Sequence, residues 1–106
     1  MNVEEFDNDP KREGSQKDVL KMESLLEQIG FKVTVIQKRI DRGQFHRAIL
    51  DFSGDQTHGD IMILVIMSHG EQGGDCGKII TSDDFKVDIE NDIIRYLSYC
   101  TTQAEF

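Results

Sequence analysis

Ile61-Met-Ile-Leu-Val-Ile-Met67-Ser-His-Gly70 is the stretch whose reading decides the fold. Its first seven residues are apolar on both parities and rich in β-branching, and the run is too short for a typical helix. That pattern fits a strand buried on both faces, as in a parallel sheet. The run breaks at Ser68-His69-Gly70 and passes into the glycine-rich loop Glu71 to Gly77. In open α/β sheets the carboxyl ends of strands are where ligands and catalytic groups gather. His69 stands at such an end, where an imidazole either caps the strand or reaches an open cleft. Its position alone leaves both open.

Working upstream, Val19, Met22, Leu25, Leu26 and Ile29 recur at spacings of three and four, which predicts a helix with one apolar face. Ser15 is its expected N-cap, Asp18 favours its positive end, and Gly30 ends it. Phe31, Val33 and Val35 then alternate with Lys32 and Thr34, predicting a strand over Phe31 to Ile36. Phe45, Ala48, Ile49 and Phe52 suggest a short second helix. Downstream, Lys78 to Thr81 and Phe85 to Val87 form a hairpin across Ser82 to Asp84, and a helix starting at Asp88 carries Ile89, Ile93, Ile94 and Leu97. Helices and strands that alternate in this way define an α/β domain.

A chain of 106 residues holds one core, and a hydrophobic share of 38% supports folding rather than disorder. The formal charge of -8, from acids spread along the chain, argues against nucleic acid as a partner. Two cysteines, Cys76 and Cys100, make no disulfide framework, so a reducing compartment is expected. The polar first ten residues and the seven-residue apolar maximum predict neither a secretory signal nor a membrane span; the expected location is cytoplasmic.

Cofactor motifs are tested and fail. Gly77-Lys78 continues with Ile79 where a phosphate loop needs Ser or Thr. The window Asp7 to Asp18 has Arg12 where a calcium loop needs Gly. His46, His58, His69, Cys76 and Cys100 show no short metal-ligand spacing. No metal and no cofactor are expected. Cys76 pairs with His69 as a nucleophile or is a plain loop thiol, and Arg12 is a solvated loop cation unless something else places it.

Three separated segments resemble the large-subunit region of caspases, the cysteine proteases that cleave after aspartate. The first is Arg12-Glu-Gly14-Ser15-Gln-Lys-Asp18 with the later Gly30-Phe31-Lys-Val33. The second is Asp60 to Met67 with Ser68-His69-Gly70-Glu71, and the third is the hairpin and helix from Ile79 to Leu97. The resemblance implies that residues 1–106 are a partial caspase-like large-subunit domain, with a mostly parallel sheet of flavodoxin-like order flanked by helices. It further implies that His69 is the catalytic histidine, that the Gly70 N–H helps form an oxyanion hole, and that Arg12 lines the pocket for the substrate aspartate. The implied partners are protein substrates with Asp before the cleaved bond, a small subunit and a second caspase protomer, with no nucleic acid and no membrane.

The departures shape the expectation as well. In the family the nucleophile lies about 50 residues after the histidine, which from His69 falls beyond Phe106. Cys100 comes too early, and Gln103-Ala104 continues with Glu105-Phe106 instead of the nucleophile. Asn2-Val-Glu-Glu-Phe6 resembles the stretch following the family's first strand, so that strand and the nucleophile strand are both expected to be missing. The chain is accordingly read as a fragment, an incomplete gene product or a truncated regulator: an inactive piece of an endopeptidase acting in apoptosis or related signalling, or a non-catalytic pseudo-caspase that binds full caspases.

Overall fold

Three stretches of backbone come together in parallel with the amino terminus in the middle. In the computed structural model, which describes residues 1–55, 59, 61–72 and 77–97, β1 (Asn2–Val3) pairs in parallel with β2 (Gln37–Lys38). On its other side Asn2 bridges to Met67, also in parallel. Bonds alternate across the middle segment as a parallel ladder requires. The N–H groups of Asn2 and Glu4 donate to the carbonyls of Ile36 and Lys38, while Val3 donates to Met67 and Met67 donates back to Met1.

This differs from the expectation that residues 2–6 lie beyond the first strand. Asn2 and Val3 are themselves strand, because their N–H and C=O groups are taken up on both sides. The predicted strands 31–36 and 61–67 are engaged toward their carboxyl ends, at Ile36 and from Val65 to Met67, where the Met1 amino group donates to the Val65 carbonyl.

α1 (Ser15–Ile29) covers the predicted helix. Its cap is Gly14, in the left-handed region at φ 77°, rather than Ser15. Ser15 is instead buried, and its hydroxyl accepts a bond from Asn2. At the other end Gly30, at φ 111°, closes the helix by donating to the Glu27 carbonyl. α2 (Arg42–Gly54) starts from a capping box between Asp41 and Gln44.

The predicted hairpin is present as β4 (Lys78–Ile80) and β5 (Lys86–Asp88), antiparallel, and β3 (Gly70–Glu71) adds a third strand beside β4. The expected last helix is present over residues 89–97, with a π-helical turn at Glu90–Ile94 in which the Arg95 N–H reaches back to the Glu90 carbonyl. Asp88 and Asp92 cap it reciprocally: Asp88 accepts from the Asn91 N–H, and the Asp88 N–H donates to Asp92.

Val3, Ile40, Phe45, Ile49, Val87 and Ile93 are the buried core, so one residue of β1, the entry to α2, α2 itself, β5 and the last helix share a single interior. Two hydroxyl residues are fully buried beside it. Ser82 accepts the Ile40 N–H at 2.8 Å, and Thr81 donates to Asp83 at 2.5 Å. Their turn is thereby tied to the segment leading into α2. The Ser82 carbonyl also accepts from Asp7, and Asn8 bonds to Asp84, which pins the loop after β1 to the same turn.

Candidate active site

The loop that leaves β1 carries both a histidine contact and the arginine. His69 lies two residues beyond Met67, half-buried, with Nε2 2.7 Å from the Pro10 carbonyl oxygen. A carbonyl only accepts, so Nε2 carries a proton and, in the neutral ring, Nδ1 keeps its lone pair. The ring is held from a second direction by Phe6, whose ring centre is 4.5 Å away. An imidazole fixed in one tautomer by a third group, with its other nitrogen free to accept, is the arrangement a general base needs.

Arg12 sits two residues beyond Pro10, half-buried. Its N–H donates to the Glu4 carbonyl, and its Nη1 donates to Asn2 Oδ1 at 2.6 Å and to the Val3 carbonyl at 3.1 Å. The structure thus gives the guanidinium fixed partners on β1, beyond anything a solvated loop cation would have. Gly70 follows His69 in β3, opposite Ile79. The flanking bond from Ile80 N–H to the His69 carbonyl makes this a pair whose own groups do not bond each other, so the Gly70 N–H points away from β4. A Cβ on Gly70 would stand 3.2 Å from the Lys78 carbonyl oxygen, which accounts for glycine at this rung.

His69 and Gly70 follow the carboxyl end of the 61–67 segment, and Arg12 is bonded to β1 from the loop that also reaches His69 through Pro10. Cys76, Cys100, Gln103, Ala104 and His58 lie outside the described residues. His46 is elsewhere, edge-on to Tyr96 at 5.8 Å, beside an open groove of about 380 Å³ whose walls include neither His69 nor Arg12. Among the described residues no cluster of three or more His, Cys, Asp or Glu side chains could hold a metal. The residues missed by sequence reading are those that hold the site: Asn2 and Val3 under Arg12, Phe6 and Pro10 on His69. A buried asparagine and a backbone carbonyl leave no periodicity to detect.

The family model for the caspase domain of peptidase C14 matches residues 1–104. The chain belongs to the caspase family. It is 39% identical over 75 residues to caspase-12 of the dog, covering 69% of this chain and 19% of that protein. Caspase-1 of the pig is 37% identical over 76 residues, 70% of this chain and 19% of the relative. Cell death protein 3 of Caenorhabditis remanei is 35% identical over 89 residues, 84% and 16% respectively. The chain thus spans under a quarter of the length of these caspase-family relatives. An α/β fold follows from the family, and the helices and small sheets seen here accord with it.

Proposed function

We propose that this chain supplies the histidine and one pocket arginine of a caspase-type cysteine endopeptidase that cleaves protein chains after aspartate in apoptosis or related signalling. The observation that carries the reading is the His69 imidazole, oriented by Pro10 at 2.7 Å with Nδ1 unclaimed among the described residues, and an arginine two residues beyond Pro10 that is bonded to β1. The thiol comes from a cysteine other than Cys76 and Cys100, carried by the family's nucleophile segment. His69 takes its proton, the thiolate adds to the carbonyl carbon of the peptide, and the Gly70 N–H meets the oxygen that becomes negative. The imidazolium then protonates the leaving amine, and water hydrolyses the remaining thioester. Arg12 binds the side-chain carboxylate of the residue before the cut. The parallel segments around β1 are read as the middle of a flavodoxin-like sheet. The remaining pocket and the dimer contacts come from a small subunit and a second protomer, in the cytoplasm. Nucleic acid and membranes have no part in this reading, and among the described residues no helix is long and apolar enough to cross a membrane.

The test joins this chain to its continuation and measures cleavage of an aspartyl reporter peptide. The 106 residues alone are expected to be inactive. In the joined chain, His69→Ala should lower kcat by about 10²-fold or more. Arg12→Lys, which keeps the charge but loses the planar fork, should lower kcat/KM for the aspartyl peptide about thirtyfold. An unchanged preference for aspartyl over asparaginyl peptides in Arg12→Lys would remove Arg12 from the pocket. A continuation that lacks a Gln-Ala-Cys-type segment would sink the endopeptidase reading.

A second reading, a non-catalytic pseudo-caspase that regulates full caspases, is favoured by one observation. Residues 31–35 and 61–64 form no ladder, and Ile61 and Ile63 are exposed beside them, which suits strand addition from a partner. Native recovery of the chain only as a monomer would count against it.

A further inference from the structure

We propose that Asn2 is a positioning residue that sets the charge and the free edge of the Arg12 guanidinium, and thereby the preference for a carboxylate over an amide; the inference rests on the pocket role given to Arg12 above. Asn2 is 1% exposed, at the centre of the parallel segments. Its Oδ1 accepts from Arg12 Nη1 at 2.6 Å, and its Nδ2 donates to the buried Ser15 hydroxyl at 3.1 Å. The Ser15 bond fixes which end of the amide faces the arginine. Nη1 has two hydrogens, and Asn2 and the Val3 carbonyl engage it at 2.6 and 3.1 Å. What remains is the edge formed by Nε–H and Nη2, two parallel donors matched to one carboxylate.

The residue type matters as much as the geometry. Asparagine offers a neutral acceptor, so it aims the guanidinium without cancelling its charge. An aspartate at the same place would present a buried negative charge to Arg12 and compete with any incoming carboxylate. Among the described residues no carboxylate pairs with Arg12, which leaves it a net cation.

The experiment uses the 106-residue chain labelled with ¹⁵N-arginine. In the unsubstituted chain the Arg12 Nη1 hydrogens should rotate slowly compared with those of Arg47 and Arg95. N-acetyl-aspartate methylamide should shift the Arg12 Nε–H signal saturably, and the asparagine counterpart should not. Asn2→Asp, which keeps the shape, should weaken the aspartyl response at least about fivefold. Asn2→Ala should release the Nη1 rotation and weaken the response too. Ser15→Ala, which lets the Asn2 amide turn its Nδ2 toward Arg12, should release the Nη1 rotation in part and weaken the aspartyl response less than Asn2→Ala does.

If Asn2→Asp and Asn2→Ala answer the aspartyl probe as the parent does, the positioning role is overturned while the pocket role of Arg12 stands. Freely rotating Nη1 hydrogens in the unsubstituted chain overturn it without any variant. An unsubstituted chain in which Nη1 rotates slowly but no aspartyl response occurs shows that the edge Asn2 leaves open does not select a carboxylate, which overturns the inference; the pocket role of Arg12 is judged separately by Arg12→Lys in the joined chain.

Discussion

Lys38 adopts φ 76°, in the left-handed region, while its carbonyl accepts from both Glu4 and Glu5. One oxygen serving two successive N–H groups needs this turn of the chain at the end of β2. A β-branched side chain tolerates it poorly, so Lys38→Val should lower unfolding free energy by about 1–2 kcal/mol, with Lys38→Asn near neutral. Denaturant titration reads both. At Gly70 the constraint is space: Gly70→Ala forces the Lys78 carbonyl to give way and should cost about 1 kcal/mol. His69 and Arg12 draw the eye in the sequence because each stands in a segment that resembles a family motif. The residues that orient them were not, because hydrogen bonds from Pro10, Asn2 and Val3 are made across the fold and carry no local signature.

Helix α1 separates what periodicity tells from what it does not. Its length and its Gly30 stop are read directly from spacing. Its apolar face, however, is only partly used: Val19 is buried, whereas Met22, Leu25 and Ile29 are exposed. Period reports which residues share a face, and whether anything covers that face is settled by tertiary structure. The strands show the same limit, since β-branched runs announce extended chain but the ladder exists only where a neighbour runs alongside. In α2 the face is fully engaged, with Phe45 and Ile49 buried in the core. Phe45→Ala should therefore cost about 3–5 kcal/mol, while Leu25→Ala should stay within about 0.5 kcal/mol of the parent. Paired thermal melts of the two variants measure the contrast.

Across the whole molecule, two exposed carboxylates join separate parts and respond to acid. Asp7 is held below its ordinary value of 3.8 by the hydrogen bond from Arg39, and Asp83 below 3.8 by the Thr81 hydroxyl. Both folded values are depressed. The stability these groups add is therefore complete above the unfolded value and lost as pH falls through the folded ones. Melting temperature should hold down to about pH 4 and then decline. Asp83→Asn should blunt that decline, which a pH series of melts would show. The ties just described also divide the site in two. The anchor of the imidazole belongs to the loop that the 82–84 turn holds through Asp7 and Asn8, whereas the arginine is fastened to the strand through Asn2 and Val3. Pro10 and Arg12 nevertheless stand two residues apart on one short loop, slung between a hairpin turn at one end and a strand at the other. An edit to that turn is therefore felt at the arginine as well as at the imidazole.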